Sequence, residues 1–307
     1  MNLNGVLAAL QKELVTAVEP FFDESECELF DFPDYANVGD SAIYLGELDL
    51  ISRMGVNIRD VHSLATFSRN YESVSTHVLF QGGGNLGGLY PNFDAFRLMV
   101  LDNLSSDHKF LVLPQSISKS DDTIMSGYQL IAQKKEVTFL ARDHSTAKIL
   151  GSWGLRHRLA PDAAHFLGPI ECPAPVRKYV VLKRTDDESA VIDKLEKTED
   201  WLTEGFRAEL GTKLRSLGRF STRLARTMAL SKEKSFDIAS SRLDRGVLQL
   251  SRGETIVTDR LHAMIIGLQM GRQVIAIDNS HKKLSNYAST WELNKLDNLE
   301  FRSNFTS

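Results

Sequence analysis

The chain has few cysteines and no long apolar run. Only Cys27 and Cys172 occur among its 307 residues, too few for a disulfide framework and without the paired spacing of a zinc site. No segment offers the roughly 20 continuous apolar residues that a membrane-spanning helix needs. The first stretch, MNLNGVLAALQKELVTAVEPFF, has apolar residues at helical spacing but lacks the basic start and cleavage site of a signal peptide. These absences predict a cytoplasmic protein that begins with an ordinary amphipathic helix.

The chain also lacks an excess of charge of one sign. Its formal net charge is −4 and charged residues make up 25% of it, so it has no basic field for wrapping nucleic acid. Its 307 residues, 42% of them apolar, can bury a large core and exceed the usual size of one compact domain. We therefore expect two domains and no nucleic-acid partner.

Short apolar runs alternate with longer amphipathic segments along most of the chain. The runs ELFDF, THVLFQ, KFLVLPQ and EVTFLARD are each followed by a helical pattern, the first of them a helix predicted over residues 41–54. Three prolines within residues 168–179 interrupt the pattern, and YVVLKR, ETIVTD and QVIAID then supply a second set of strands. The alternation predicts an α/β fold of two doubly wound, mostly parallel domains, residues 1–170 and residues 171–307.

The segment EGFRAELGTKLRSLGRFSTRLARTMALSKEK, residues 204–234, is locally basic. Its basic residues at helix-like spacing are Arg207, Lys213, Arg215, Arg219, Arg223 and Arg226. A basic amphipathic helix suits contact with a membrane surface or with an anionic lipid-linked substrate. The alternative is a solvated helix face, the commoner origin of such charge runs, and we favour it.

Polar residues follow the predicted strands at their carboxyl ends, where a doubly wound sheet binds its ligands. The first such loop is DYANVGDSAIY, in which Asn37, Gly39 and Asp40 precede a predicted helix. Gly39 lets the backbone turn tightly, and Asp40 or Ser41 is placed to cap the helix. The cap is the favoured interpretation of Asp40, and a general base acting on a substrate hydroxyl is the functional one.

A glycine-rich loop, LFQGGGNLGGLYPNFDAFR, follows the next strand. Gly82 to Gly84, Asn85, Gly87 and Gly88 form a turn whose backbone amides can approach a phosphate or carboxylate closely. The loop is neither a GxGxxG fingerprint nor a P-loop, because no lysine and hydroxyl pair follows the glycines, so nucleoside triphosphate chemistry is not indicated. A purely structural turn is the alternative. Arg97, further along, is either a cation for the ligand or a surface residue.

Two more strand ends of the first half carry polar side chains. Gln115 and Ser116 occur in VLPQSIS, and Arg142 and Asp143 occur in FLARDHST, with Ser145 following. The default interpretation of Arg142 and Asp143 is that they pair with each other. In this interpretation neither residue binds a ligand.

In the second half, VVLKRTDDES places Lys183 and Arg184 at the end of a predicted strand. Two interpretations remain open there. The two cations bind an anion in the crevice between the domains, or they form salt bridges to Asp186 or Asp187.

The stretch TIVTDRLHAMIIGLQMGRQVIAIDNSHKK predicts two core strands and a crossover helix. Asp259, Arg260 and His262 lie at the turn from the first strand to the helix, whose N-terminus adds positive potential. Arginine forks suit carboxylate and phosphate. A lone histidine would be a helix cap or a core residue, but an arginine beside it at a strand end favours a functional role. Beyond the second strand come Asn279, Ser280, His281 and Lys282.

These motifs resemble those of the polysaccharide pyruvyl transferases, with the exopolysaccharide branch most similar. The resemblance rests on NVGDSAIY, GGGNLGGLYP, ARDHS and TDRLHAMIIGLQMGRQVIAIDNSHKKLSNYASTW, which occur in the family's order between about Leu29 and Trp291. The last motif is the most specific. One departure is Gly88, where members of this branch often carry an aspartate.

The resemblance implies two Rossmann-like domains facing each other across a cleft, as in glycosyltransferases of the GT-B type. It also implies that a 1-carboxyethylidene group moves from phosphoenolpyruvate onto two hydroxyls of one sugar, giving a pyruvate ketal in exopolysaccharide biosynthesis. We expect His262 as the proton donor and Asp40 as the base. The residues expected to bind the donor are Arg260, Arg184, Lys183, His281 and Lys282. Those expected on the acceptor side are Asn37, Gly39, Gly83, Gly84 and Asn85.

The expected partners are phosphoenolpyruvate and a sugar or lipid-linked oligosaccharide, without a metal or redox cofactor. The protein would act in the cytoplasm, with the inner face of the membrane as an alternative position. One rival is a GT-B-type glycosyltransferase that uses a nucleotide sugar, since the same architecture would hold a diphosphate at the donor site. Another is a catalytically degenerate sugar-binding member of an exopolysaccharide pathway, which Gly88 would favour and Arg260 and His262 argue against.

Overall fold

The computed structural model describes residues 3–67, 71, 73, 75–184, 198–217, 230–278 and 282–305. Within them the protein is an α/β structure built on two sheets, and all pairings between neighbouring strands are parallel. The predicted α/β class with mostly parallel sheets is therefore confirmed. In open parallel α/β sheets, ligands bind beyond the carboxyl ends of the strands.

The first sheet has seven strands in the order β2-β1-β3-β5-β6-β7, with β4 paired to β5. The strands are β1 (Glu26–Phe30), β2 (Asn57–His62), β3 (His77–Phe80), β4 (Gly83–Leu86), β5 (Lys109–Ile117), β6 (Glu136–Ala141) and β7 (His157–Leu159). The long strand β5 is buried at every position after its first, as a parallel strand covered on both faces must be.

The second sheet has four strands in the order β11-β10-β9-β8. The strands are β8 (Arg177–Leu182), β9 (Gly253–Thr258), β10 (Gln273–Ile277) and β11 (Leu299–Arg302). The predicted strands YVVLKR, ETIVTD and QVIAID correspond to β8, β9 and β10. The weaker strands β2, β4, β7 and β11 were not among the predicted elements.

The helices in the described residues cover the faces of the two sheets. They are α1 (Leu3–Val18), α2 (Val38–Arg53), α3 (Pro91–Asn103), α4 (Asp122–Ala132), α5 (His144–Ser152), α6 (Phe206–Ser216), α7 (Lys232–Leu250), α8 (Leu261–Gln269) and α9 (Lys283–Thr290). Short 3-10 helices span Glu19–Phe21, Ala163–Leu167 and Leu293–Lys295.

Helix α2 starts three residues before the predicted position because Asn37 caps it. The Asn37 side chain accepts a hydrogen bond from the Gly39 N–H, at 3.1 Å, which satisfies one of the free amides of the first turn. The prediction that Asp40 or Ser41 caps the helix is therefore wrong. Further along, Gly46 faces the 3-10 helix so closely that a Cβ atom there would lie 1.9 Å from the Ala163 carbonyl oxygen.

Several helices contribute to the cores of both sheets. On α1, Val6 and Leu10 pack with the core of the second sheet, and Leu14 and Val18 pack with that of the first. Helix α2 is divided in the same way, with its first turn on the side of the second sheet. The boundary at residues 170 and 171 stays a prediction.

The basic segment is described only in part, since residues 218–229 lie outside the described residues, as do the side chains of residues 206 and 207. Arg215 is neither solvated nor turned outward, because its Nε and Nη2 each donate to Asp34 at 2.7 Å. Leu210, Leu214 and Leu217 form an exposed apolar row along α6. Within the described part of the chain, no helix has both the length and the apolar composition needed to cross a bilayer.

Candidate active site

A cavity of about 340 Å³ lies where the loops after strands of both sheets meet. Its volume falls within the range of about 300–1,000 Å³ typical of small-molecule sites. Four cationic side chains, an imidazole, a carboxylate and four aromatic side chains line it. The lining residues are Tyr35, Asn37, Asp40, Gly84, Asn85, Tyr90, Phe93, Arg142, Arg184, Trp201, Leu202, Arg260, Leu261, His262 and Lys283. Residues from five of the strand ends singled out in the sequence thus share one site.

Asp40 lies in the first turn of α2 with its carboxylate held from one side. Asn37 Nδ2 donates to Oδ2 of Asp40 at 2.7 Å, and Tyr35 Oη donates to the same oxygen at 2.9 Å. The Gln81 side chain donates to the Asp40 carbonyl at 3.0 Å. Since both side-chain bonds fall on Oδ2, the geometry orients Oδ1 for another donor.

Gly39 lies against His262, which comes from the second sheet. A Cβ atom at position 39 would be 2.6 Å from Nδ1 of His262. Any side chain there would displace the imidazole or the helix. The conformational reason given from the sequence, a tight turn, is therefore not the main one: Gly39 is small so that His262 can approach α2.

His262 belongs to a buried cluster with Asp162 and Arg142. Its Nε2 lies 3.1 Å from Oδ2 of Asp162 and 3.4 Å from Nη1 of Arg142, and Arg142 Nη1 donates to Asp162 Oδ2 at 2.6 Å. Burial acts to raise the pKa of Asp162, but the positive charge of His262 and Arg142 outweighs it and holds the pKa well below its usual range. Asp162 is therefore an ionised acceptor.

This arrangement fixes the imidazole. A carboxylate only accepts hydrogen bonds, so Nε2 of His262 carries the proton that it donates to Asp162. Nδ1, on the side of Gly39, is the ring nitrogen that Asp162 does not contact. The imidazole side chain is 12% exposed and lines the cavity.

The expected pair between Arg142 and Asp143 is wrong, because Arg142 pairs with Asp162. Arg142 Nε also donates to Ser116 Oγ at 3.1 Å. Asp143 instead caps α5: it accepts hydrogen bonds from Ser116 Oγ and Ser145 Oγ, each at 2.5 Å, and from the Thr146 N–H at 2.8 Å. Arg142 thus belongs to the site, whereas Asp143 supports it.

A second layer of hydrogen bonds supports Asp162. Its N–H donates to Tyr287 Oη at 3.0 Å, and Tyr287 Oη lies 2.8 Å from Nε2 of His165, whose ring stacks on the tyrosine. Burial lowers the pKa of His165 to about 4. His165 is therefore neutral at pH 7 and hydrogen-bonds to the tyrosine hydroxyl. None of Asp162, His165 and Tyr287 was identified from the sequence.

Arg260 lines the cavity but is already anchored. Its Nη2 donates to Asp200 Oδ2 at 2.7 Å, and its guanidinium carbon lies 5.9 Å from the ring centre of Trp201. Arg260 is the N-cap residue of α8 without a capping side-chain bond, so the positive end of this helix faces the cavity. Asp200 and Trp201 were not identified from the sequence.

The other predicted donor residues have different positions. Arg184 lines the cavity, and its N–H donates to Asp259 Oδ1 at 2.8 Å. Lys183 does not line the cavity, and its N–H donates to the Glu199 carbonyl at 3.0 Å. Lys282 is exposed and adopts a left-handed backbone, with φ of 50°, where it precedes α9. It is the next residue, Lys283, that lines the cavity.

Some predicted residues cannot be placed. His281, Asn279 and Ser280 lie outside the described residues, and so do Asp186 and Asp187. The donor role of His281 and the alternative salt bridges of Lys183 and Arg184 therefore stay predictions.

The glycine loop approaches the site through its backbone. A Cβ atom at Gly84 would lie 2.8 Å from Nζ of Lys283 and 3.5 Å from Nη2 of Arg142, and one at Gly83 would lie 3.6 Å from Oδ1 of Asp40. Gly83 also has a positive φ of 138°, which disfavours other residues. Gly84 and Asn85 line the cavity, whereas Gly83 lies behind Asp40.

Arg97 holds this loop from beneath and is neither a surface residue nor a ligand of the cavity. It is fully buried, and its Nη2 donates to Asp31 at 2.5 Å and also to the Asn85 side chain. The Asn85 N–H donates to Gln115 Oε1 at 3.3 Å. Gln115 therefore supports the loop as well.

Gly88 has a structural role in this chain. Its φ is 101°, and its N–H donates to Asp94 Oδ2 at 2.8 Å. A Cβ atom at this position would lie 2.5 Å from Cβ of Asp121. Gly88 is not among the residues that line the cavity. The departure from the family's aspartate therefore removes no group from the cavity.

The fold and the site together define an α/β protein with a cavity lined by cationic side chains, formed at the strand ends of two parallel sheets. The sequence profile of the family described as polysaccharide pyruvyl transferase matches residues 37–281. This match covers most of the chain, so the protein belongs to the polysaccharide pyruvyl transferase family.

Named relatives agree with this membership. The chain is 27% identical to EpsO of Bacillus subtilis (strain 168), provisionally assigned as a pyruvyl transferase, over 95% of this chain and 93% of the relative. It is 27% identical to Pyruvyl transferase 1 of Schizosaccharomyces pombe (strain 972 / ATCC 24843), over 86% of this chain and 69% of the relative.

A solved structure shows the same fold. An uncharacterized protein from Klebsiella pneumoniae subsp. pneumoniae NTUH-K2044 superposes with a TM-score of 0.65 at 19% identity, covering 96% of this chain and 98% of the other. At this identity the likeness concerns the fold alone.

Proposed function

We propose that the protein transfers the pyruvyl group of phosphoenolpyruvate, as a 1-carboxyethylidene ketal, to two hydroxyls of one sugar in exopolysaccharide biosynthesis. One observation carries the proposal: four cationic side chains, the imidazole of His262 and the carboxylate of Asp40 line a single cavity. In the proposed arrangement, two Rossmann-like halves face each other across this cavity, as in GT-B transferases.

The cationic part of the cavity suits phosphoenolpyruvate, which carries a phosphate and a carboxylate. Arg142, Arg184 and Arg260 offer planar forks for either anion, and Lys283 adds a point charge. Although Arg260 is paired with Asp200, its Nε is buried and has no hydrogen-bond partner in the described part of the chain. A bound anion would satisfy that donor.

The reaction needs a proton at the methylene carbon of phosphoenolpyruvate. In the proposal, Nδ1 of His262 donates this proton and the methylene becomes a methyl group, leaving positive charge at the adjacent carbon. A sugar hydroxyl attacks that carbon and loses its proton to Asp40. The carbon–oxygen bond to phosphate then breaks and the second hydroxyl attacks, its proton restoring His262, while phosphate leaves with the proton that Asp40 had taken. The products are a pyruvate ketal and inorganic phosphate.

Phosphate release tests the proposal. The wild-type protein, mixed with phosphoenolpyruvate and a panel of sugar acceptors, should release phosphate and yield a product of the mass of a pyruvate ketal. Arg260→Ala should weaken phosphoenolpyruvate binding about tenfold or more in calorimetry, since it removes a charge-assisted contact. Arg156→Ala, at an exposed ion pair outside the cavity, is the control.

Two results would overturn the proposal. The first is wild-type protein that binds no phosphoenolpyruvate and releases no phosphate across the panel. The second is tight binding of a nucleoside diphosphate with indifference to phosphoenolpyruvate, which would indicate a nucleotide-sugar glycosyltransferase. The absence of a metal or redox cofactor, and the lipid-linked form of the acceptor, stay predictions.

A further inference from the structure

Three aromatic side chains that line the cavity contact one another in a row. Tyr35 and Phe93 meet edge to face with centroids 5.8 Å apart, and Phe93 meets Tyr90 in the same way at 6.4 Å. All three residues line the cavity. We call Tyr35, Phe93 and Tyr90 the aromatic shelf. The cationic residues and His262 do not require such a row, so the donor chemistry leaves it unexplained.

Contacts place Asp40 between the shelf and the donor cluster. On one side, Tyr35 Oη donates to Asp40 Oδ2 at 2.9 Å. On the other, the neighbouring Gly39 lies against His262, which contacts Arg142 at 3.4 Å. A molecule lying on the shelf therefore reaches the proposed base at its end nearest the donor cluster.

The shelf is held rigidly by the backbone of two elements. Pro91 starts α3 directly after Tyr90, and in the same turn Asp94 is buried, accepting hydrogen bonds from the Gly87 and Gly88 amides at 3.2 and 2.8 Å. Asp94 thus fixes the first turn of α3 from the inside while Tyr90 and Phe93 face the cavity. Proline at this position is pre-organised for a helix start.

The loop that carries Tyr35 is fixed from the opposite side by arginines of α7. Arg242 Nη1 donates to the Pro33 carbonyl at 2.8 Å, and Arg245 Nη2 donates to the Ala36 carbonyl at 2.6 Å. Arg245 Nη1 also donates to the Trp201 carbonyl at 2.9 Å. The Arg245 side chain therefore connects the loop that carries Tyr35 to the segment of Asp200 and Trp201, which contacts Arg260. These bonds hold the two segments at a fixed distance.

We infer that the aromatic shelf is the acceptor subsite and binds the apolar C–H face of a hexopyranose, placing a ring hydroxyl at Asp40. This inference rests on the proposed function. A pyranose has a flat face of C–H bonds that an aromatic ring covers well, while its hydroxyls project from the edge. Rings with a fixed orientation lose little entropy on binding. The half-buried Phe93 and the 40% exposed Tyr90 leave such a face accessible.

The test separates acceptor binding from turnover. Binding of methyl hexopyranosides is measured by saturation-transfer NMR, phosphoenolpyruvate binding by calorimetry, and the acceptor KM by phosphate release. Tyr90→Ala and Phe93→Ala should each raise the glycoside Kd and KM about tenfold, the equivalent of about 1.4 kcal/mol, and leave the Kd for phosphoenolpyruvate within about twofold. Tyr90→Phe, which keeps the ring, should resemble wild type. Leu130→Ala, at an exposed apolar residue outside the cavity, is the matched control.

The outcomes distinguish the two proposals. Glycosides that bind the wild type but not the shelf variants support the subsite even if phosphoenolpyruvate is not turned over, in which case the proposed function alone fails. The subsite is wrong if no methyl hexopyranoside binds the wild type or if both alanine variants keep the wild-type acceptor KM. It is also wrong if the variants weaken phosphoenolpyruvate or a nucleoside diphosphate instead of the glycosides.

Discussion

Two buried arginine–aspartate pairs lie on opposite sides of the glycine loop and have different consequences. Arg142 and Asp162 are joined at 2.6 Å, and Arg97 and Asp31 at 2.5 Å. Arg142 lines the cavity and its partner orients His262, whereas Arg97 supports Asn85 from beneath. The ion pair itself is the same. The two pairs differ in the third group that they hold, which is the His262 imidazole in one case and the glycine loop in the other.

The largest expected difference between the pairs is in catalysis. Asp162→Asn removes the ionised acceptor that fixes the His262 tautomer, and we expect kcat for phosphate release to fall about 10²–10⁴-fold. The same change at Asp31, Asp31→Asn, should alter kcat less than about tenfold, because Asp31 does not line the cavity. Circular dichroism of both variants checks that they are folded. Equal losses of kcat would show that the two pairs do not differ in role.

The second expected difference is in stability. Arg97→Met removes the cation from a fully buried pair and leaves Asp31 without its charge partner, so the free energy of unfolding should fall by about 3–5 kcal/mol. Arg156→Met, at a pair whose side chains are 61% and 51% exposed, should cost less than about 1 kcal/mol. Urea denaturation measures both changes. Similar values for the two variants would contradict the proposed importance of burial.

The smallest expected effect is a dependence of stability on pH, to which a buried histidine near each of the two ion pairs contributes. Burial lowers the pKa of His165, behind Asp162, and of His62, stacked on Phe30, to about 4 from an ordinary value of 6.5. Between these pH values the unfolded chain binds protons that the folded histidines do not. The stabilisation is therefore complete above about pH 6.5 and is lost progressively as pH falls toward 4.

Single substitutions measure how much each histidine contributes to the pH dependence of stability. His165→Gln and His62→Gln should each flatten the fall in unfolding free energy between pH 6.5 and 4, measured by urea titration at each pH. If neither substitution changes the slope, the acid sensitivity of the protein arises from other groups.

The sequence predicted the parallel α/β class and most of the strand ends that reach the cavity, because apolar periodicity and strand-end polarity are local signals. It missed Asp162, which follows β7, a three-residue strand without a buried apolar residue. The pattern there gives no reason to expect a strand end. It also missed Lys283 in favour of its neighbour, because the left-handed backbone at Lys282 sets which lysine faces the cavity.

Partners of charged residues were the least predictable part of the site. Arg142 was expected to pair with the adjacent Asp143, but its partner is 20 residues further along the chain. Arg97 was expected either at the surface or as a ligand of the site. It is instead fully buried and does not line the cavity. These pairings depend on which loops meet in the folded protein. The local sequence around each arginine does not indicate a partner that is distant along the chain.

The contact between Gly46 and the Ala163 carbonyl has a consequence for protein engineering. Helix α2 carries Asp40 at one end and rests through Gly46 on the residue that follows Asp162. Helix α2 therefore sets the distance between the carboxylates of Asp40 and Asp162. A rotation or a change in length of this helix would alter that distance. Under the proposed acceptor subsite, acceptor preference is better varied at Tyr90, the N-cap residue of α3, which can be exchanged without moving α2.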